Sequence, residues 1–268
     1  MELNELTYSY DGSTDQLKGV SGQIPMGRIT TIIGPNGSGK STLLGVMARN
    51  LSPRAGEAVL DGKAVTAYAP KELARKLAVV HQHNDAPPDL TVQRLTGYGR
   101  LPHRRLWTQQ GAEDEAAITW ALESTRLLDK RSNRLSTLSG GERQRAWIAM
   151  ALAQQTKLLF LDEPTTYLDM YHQIELLELI RKLNRDHRIT IVMVLHDINQ
   201  ALRYSDHLIV MKEGEARLSG EPEAVITEAA LLDIYGVRAL LRKDEEAGLV
   251  VIPLGTTPGL SGYLGRGG

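Results

Sequence analysis

Apolar and polar residues alternate over residues 2–8 and again over 16–24, with Asp11, Gly12 and Ser13 as turn formers between them. That pattern predicts an antiparallel, hairpin-like start, closed by Pro25, Met26 and Gly27. The texture then changes to apolar or β-branched runs at 29–33, 77–80, 158–161 and 189–195, the pattern of strands buried in a sheet. Helices are expected between them at 41–49, at 70–75 after Pro70, and at 112–127, 142–153 and 173–183. The 112–127 helix carries Glu113, Asp114 and Glu115 in its first turn, where they suit the helix dipole, and offers Ile118, Leu122 and Leu127 as an inner face. In the 173–183 helix, Ile174, Leu177, Ile180 and Leu183 recur at helical spacing and read as core packing. Asp61-Gly62, between 56–60 and 63–65, is the residue pair of a tight hairpin turn. Short strands at 206–211, 215–218 and 248–252 surround two short helices, and the Gly-, Thr- and Pro-rich stretch 255–268 reads as a loose tail. Residues 99–111 read as an exposed segment carrying Arg100, Arg104 and Arg105, a solvated or protein-docking surface rather than a phosphate-binding one.

Composition narrows the possibilities. The 268 residues are 42% hydrophobic, enough for one large domain, and the formal charge of −1 supplies no global basic field to recruit nucleic acid. Cysteine is absent from the sequence, which removes disulfides and thiolate metal sites. No apolar run approaches the ~18 residues of a membrane span, and residues 1–10 lack the regions of a signal peptide. The expectation is a cytosolic protein whose membrane role, if any, comes through a partner.

The chemistry begins at residues 34–42, GPNGSGKST, which fit the phosphate-loop pattern G-x-x-x-x-G-K-[ST]. A strand, a tight turn of inward-pointing N–H groups and a helix N-terminus make an anion cradle from Gly34, Pro35, Asn36, Gly37, Ser38, Gly39 and Thr42. Lys40 supplies charge for the β and γ oxygens, and the Ser41 hydroxyl can ligate Mg²⁺. The strand at 158–161 delivers adjacent carboxylates, Asp162 and Glu163, which suit Mg²⁺ coordination and water activation or, more plainly, a helix cap before Pro164. Gln82 and His196 close two other buried strands at the edge where an α/β sheet meets its ligand. Ser139, Gly140 and Gly141 open a helix, as either a second anion site or an ordinary cap. Tyr10 is an edge aromatic that base stacking would also suit, and His81 and His83 read as loop residues rather than metal ligands.

Placed in order, these pieces make the chain resemble an ATP-binding cassette ATPase over nearly its whole length, to about residue 252. The phosphate loop, Gln82 as the Q-loop glutamine, LSGGERQ at 138–144 as the signature, LLFLDEP at 158–164 as the Walker B strand, Leu168-Asp169 as the D-loop and His196 as the switch histidine stand in the family's order. Glu142 stands where many members carry Gln, and His81 precedes Gln82 where Pro or another residue is frequent; neither position is expected to touch the transferred phosphoryl group. The resemblance implies an α/β fold with a phosphate-loop, RecA-like core, an antiparallel β subdomain and a helical insertion at about 85–158, within one cassette at 1–255 followed by a tail at 256–268. It implies ATP and Mg²⁺ as ligands, with Tyr10 stacking on adenine and Ser41, Gln82 and Asp162 serving the metal. The resemblance also implies that Glu163, with Gln82 and His196, is the catalytic group that polarises water, and that Ser139, Gly140 and Gly141 reach the γ-phosphate held by a second copy.

Within that family, GYGRLPH (97–103), EPTTYLD (163–169), HQIELLELI (172–180) and LHDINQALRYSDHLI (195–209) resemble ATPase subunits of bacterial importers for ferric siderophores, haem and cobalamin. Tyr167-Leu168-Asp169 and Asn199-Gln200-Ala201 point most toward ferric siderophores. The partners this implies are a second copy of the chain, membrane permease subunits docked on a groove of Gln82, its following loop and the insertion, an extracytoplasmic binding protein indirectly, and no nucleic acid. The protein would then sit peripherally on the cytoplasmic face of the cell membrane. A soluble cassette ATPase of DNA repair or translation would carry a long coiled-coil insertion or duplicated cassettes, and a small-molecule kinase would not need LSGGERQ.

Overall fold

The computed structural model describes residues 1–104 and 111–256. Strands β1 (Glu2–Ser9) and β2 (Asp15–Gln23) form the antiparallel start. They join β4 (Ala55–Leu60) and β5 (Lys63–Ala64) in a four-stranded sheet of order β2-β1-β4-β5. Asp61 and Gly62 turn the β4–β5 hairpin with φ of 51° and 74°, the two left-handed residues of a primed turn.

The second sheet holds β3 (Ile29–Ile33), β6 (Leu77–Val80), β7 (Leu158–Leu161), β8 (Thr190–Val194), β9 (His207–Lys212) and β10 (Glu215–Gly220), in the order β10-β9-β3-β8-β7-β6. Only the edge strand β10 runs antiparallel. Its inner strands β3, β7 and β8 are buried at every residue because both faces are covered. Phe160, Val192 and Val194 point to a cluster with helix α1 (Lys40–Met47) and the antiparallel sheet. Leu159, Leu161, Ile191 and Met193 point to the opposite cluster. After the short α2 (Pro70–Leu73), that cluster is built from α3 (Val92–Tyr98), α4 (Ala112–Ser124), α5 (Gly140–Ala153) and α6 (Met170–His187).

The chain continues through α7 (Ile198–Tyr204), α8 (Pro222–Val225) and α9 (Glu228–Tyr235) to a hairpin of β11 (Val237–Asp244) and β12 (Gly248–Thr256).

Four expectations change. Helix α6 starts at Met170, where the Asp169 carboxylate accepts from His172 N–H at 2.9 Å, and Ile174 is 46% exposed while Leu176 and Leu179 join Leu177, Ile180 and Leu183 inside. Arg100 is not on an exposed segment but 4% exposed, donating to Asp114 at 2.9 Å, with Arg104 on the same carboxylate at 3.0 Å. Strand β11 was absent from the sequence reading, since of its eight residues only Ala239 is buried. Gly255 and Thr256 end β12 instead of starting a loose tail; Arg105 and the tail from 257 onward lie outside the described residues.

Candidate functional site

The parallel strands bring their carboxyl ends to one edge, and each delivers a polar residue there. The loop after β3 turns sharply into α1. Gly34 has φ of 150° and a Cβ there would sit 2.2 Å from the Met211 carbonyl oxygen; Gly39, the N-cap, has φ of 98° and a Cβ would meet the Gln16 carbonyl at 2.8 Å. No other residue type fits either position without moving backbone. Lys40 is buried, and its Nζ donates to the carbonyls of Gly34 at 3.0 Å and Pro35 at 2.9 Å, so the ammonium is held inside the curve of the loop. Burial lowers its pKa, opposed by the charges of Glu163 and Asp162. The buried Ser38 hydroxyl in the same loop has no protein partner, a polar atom left for an anion.

Ser41 Oγ donates to Asp162 Oδ1 at 3.0 Å. Burial pushes the Asp162 carboxyl up; the Ser41 bond opposes this and the neighbouring Glu163 charge adds to it. This hydroxyl and carboxylate are hard oxygen donors of the kind Mg²⁺ takes, usually alongside substrate phosphates, and they fit that ion. Among the described residues no three His, Cys, Asp or Glu side chains form a cluster that could hold a metal, so Asp162 and Ser41 would need phosphate oxygens to complete a shell.

Glu163 is the most heavily bonded group at this edge. Gln82 Nε2 donates to its Oε2 at 2.6 Å, Thr166 Oγ1 donates to the same oxygen at 3.1 Å, and His196 Nε2 lies 2.7 Å from Oε1. Its backbone sits at φ 49°, a left-handed conformation costing about 1–3 kcal/mol that turns the chain out of β7. With both oxygens engaged, the carboxylate has one orientation, fit to accept a proton from water. Thr166 was missed in the sequence; a threonine three residues after an acid in a turn carries no periodic signal.

Tyr10 brings a 63% exposed ring beside the loop, with its hydroxyl 3.3 Å from Thr42 Oγ1 and its edge on Tyr8. Asn36 and Gly37 lie in the turn of the same loop, where Ser38 N–H donates to the Pro35 carbonyl at 3.2 Å. Ser139, Gly140 and Gly141 stand apart from Lys40 and Glu163 on another element. Ser139 caps α5 with its Oγ accepting from Glu142 N–H at 3.3 Å, while the Glu142 carboxylate accepts from Ser139 N–H at 3.0 Å and is held by Lys130. A Cβ on Gly141 would press to 2.8 Å of the His172 ring, so the entrance packs on the segment that follows Asp169. His83 packs its ring on Tyr167.

Comparison with known proteins agrees with this arrangement. A family model described as ABC transporter matches residues 17–166. The chain is 46% identical over 254 residues to the ferric enterobactin transport ATP-binding protein FepC of Escherichia coli K12, covering 94% of this chain and 93% of that one. It is 45% identical over 221 residues to the iron(3+)-hydroxamate import ATP-binding protein FhuC of Bacillus subtilis, covering 82% of each. Among solved structures, the dimeric structure of the bacterial ABC transporter cassette MJ0796 superposes with a TM-score of 0.71 at 30% identity, over 82% of this chain and 98% of that one. The fold, the tight glycine-bearing turn from β3 into α1 and these matches together place the protein in the ABC transporter family, as one of its ATP-hydrolysing cassettes.

Proposed function

We propose that this protein drives import of a ferric siderophore through a membrane permease, hydrolysing ATP at a site shared by two copies of the chain. The observation that carries the reading is the Glu163 carboxylate, bonded by Gln82 and His196 from neighbouring strands and next to the Ser41–Asp162 pair. In this reading the cassette spans 1–255 with its helical insertion at about 85–158. Backbone N–H groups of residues 34–42 and Lys40 hold the β- and γ-phosphates, and Tyr10 stacks on adenine. Ser41 and Asp162, with Gln82, would hold Mg²⁺, which would supply positive charge against the phosphate oxygens. Glu163 takes a proton as the oxygen of water bonds to the γ-phosphorus and ADP leaves; His196 keeps that carboxylate oriented. Ser139, Gly140 and Gly141 of one copy close over the γ-phosphate held by the other.

The substrate rests on the relatives, whose names specify ferric enterobactin, petrobactin and iron(3+)-hydroxamate. None of the helices among the described residues is long and apolar enough to cross a membrane. In this reading a permease carries the chelate, with the cassette peripheral on its cytoplasmic face and a binding protein outside. A groove of about 270 Å³ lined by Asn84, Asp85, Pro88, Leu135, Arg143 and Trp147 begins two residues beyond Gln82 and suits a docked permease helix. The test is uptake of radioiron-labelled catecholate and hydroxamate siderophores by cells whose own copy is replaced with Glu163→Gln. Loss of one ferric chelate, with haem and cobalamin uptake intact, is expected; unimpaired uptake of every ferric chelate overturns the reading.

A further inference from the structure

The site has a second hydrogen-bonded path that motif reasoning does not reach. His196 is followed by Asp197, whose carboxylate caps α7 by accepting from Gln200 N–H at 2.9 Å. The Gln200 side chain leaves that first turn and donates through Nε2 to Gln173 Oε1 at 2.7 Å. Gln173 in turn donates through its own Nε2 to the Leu168 carbonyl at 2.9 Å and, at longer range, to the Thr165 carbonyl at 3.4 Å. All three contacts fix the carboxamide in one sense. Reversing it would set NH₂ against the NH₂ of Gln200 and an oxygen against two carbonyl oxygens. The loop so gripped matters at both ends. Thr166 donates from it to Glu163 at 3.1 Å, and a Cβ on Gly140 would lie 3.7 Å from Leu168.

We propose that Gln173 and Gln200 are positioning residues that couple the His196 contact on Glu163 to the loop at residues 165–169, and so to the Ser139–Gly141 entrance beyond it. This rests on the reading of Glu163 as the hydrolytic carboxylate. The loop and the helix after His196 are joined here by three polar contacts between neutral groups, which hold a direction without holding a charge. A shift of α7 that moves His196 away from Glu163 therefore draws Gln200 from Gln173 and releases the Leu168 carbonyl.

The test uses the full-length protein and measures phosphate release against ATP concentration, affinity for a fluorescent ATP analogue, and thermal unfolding. Gln173→Leu and Gln200→Leu should each lower kcat roughly 2- to 30-fold, the range of coupling effects, while KM and analogue affinity stay within about twofold. Because both belong to one path, the double variant should fall no further than the worse single variant. Gln200→Lys keeps a donor for Gln173 Oε1 and should retain kcat, whereas Gln200→Glu presents an acceptor to an acceptor and should lose it. These two charged variants decide the matter alone if a leucine variant does not fold. Wild-type kcat in the leucine variants, additive losses, a rise in KM at unchanged kcat, or equal rates for Gln200→Lys and Gln200→Glu overturn the proposal. Glu163→Gln is assayed alongside: wild-type hydrolysis there removes the underlying reading, while an inactive Glu163→Gln with unaffected glutamine variants removes the coupling alone.

Discussion

Gln82 donates to Glu163 at 2.6 Å across 81 residues of sequence, and each stands two positions beyond a residue of one register pair, Val80 with Leu161. Parallel pairing of β6 with β7 therefore sets the contact: a slip of one residue would turn each side chain to the other face. Asp162 N–H donating to the Val80 carbonyl at 2.9 Å carries the ladder one step past the strands and holds the two ends level. The site's precision comes from a ladder of buried apolar strands rather than from the loops alone.

Lys40 is a place where the proposed phosphate-binding role costs stability. Its folded pKa is lowered below the ordinary 10.5 by burial, so the unfolded chain holds this proton more readily than the folded one. Stability from this group therefore rises with pH as it passes through the folded pKa toward 10.5, and at neutral pH the charge is a net cost. Lys40→Met keeps the packing and removes the charge. Differential scanning fluorimetry should give a nucleotide-free Tm equal to or above wild type, while the Tm rise on adding MgATP disappears. A variant that still gains Tm with MgATP would count against the phosphate-binding role of Lys40.

Asp114 ties the start of α4 to the segment that follows α3 by answering buried Arg100 and half-buried Arg104. Burial pushes its carboxyl up, but the hydrogen bonds from the two guanidinium groups outweigh that and leave it below the ordinary 3.8. A depressed carboxyl pKa contributes stability that is present above about 3.8 and is lost as pH falls through the folded value. Asp114→Ala leaves Arg100 uncompensated and should cost about 3–5 kcal/mol by urea denaturation at pH 7, with less of the acid-induced loss that wild type shows below pH ~4. Arg100→Met with Asp114→Leu should recover most of it.

Asn199 latches the C-terminal hairpin. Its side chain accepts from Val251 N–H at 2.8 Å and donates to the Val251 carbonyl at 3.2 Å, pairing with β12 as a strand would. Asn199→Ala should release that edge at a cost of about 1–3 kcal/mol, seen as faster amide exchange confined to residues 237–256. Exchange unchanged in that hairpin would show that α9 and β11 hold it without the latch.

What the sequence makes legible follows from burial. Strands β3, β7 and β8 were readable because sheet faces covered on both sides favour apolar or β-branched residues at every position, and the phosphate loop because its turn admits only glycine at Gly34 and Gly39. Arg100 was misread because a guanidinium in a Gly- and Pro-rich stretch looks solvated until Asp114 is brought to it. Ile174 was misread because helical spacing marks a stripe but not the side of it that a neighbour covers. Thr166, Gln173 and Gln200 stand in stretches that carry a family resemblance, but the sequence assigns them no role, since their contacts are set by hydrogen-bond partners that only folding supplies.

The two halves of the site should separate under mutation. In the proposed mechanism N–H groups and Lys40 hold ATP, whereas hydrolysis draws on the Glu163 carboxylate, whose contribution as a general base would be about 10²- to 10⁴-fold. Glu163→Gln keeps size and retains an acceptor for Gln82 and Thr166 but loses the charge, so ATP should remain bound and phosphate release should fall by that factor. The persistent nucleotide should then bridge each phosphate loop to the other copy's α5 entrance, giving an ATP-dependent dimer by light scattering. That entrance is a capping box in which Ser139 and Glu142 already satisfy each other, so Ser139→Arg removes a cap worth about 1 kcal/mol and leaves the helix standing. Added to Glu163→Gln, it should abolish the dimer while circular dichroism and analogue binding stay unchanged. A dimer that survives Ser139→Arg would place the contact between copies somewhere other than this helix entrance, and an ATP-bound Glu163→Gln that stays monomeric would remove the shared site altogether.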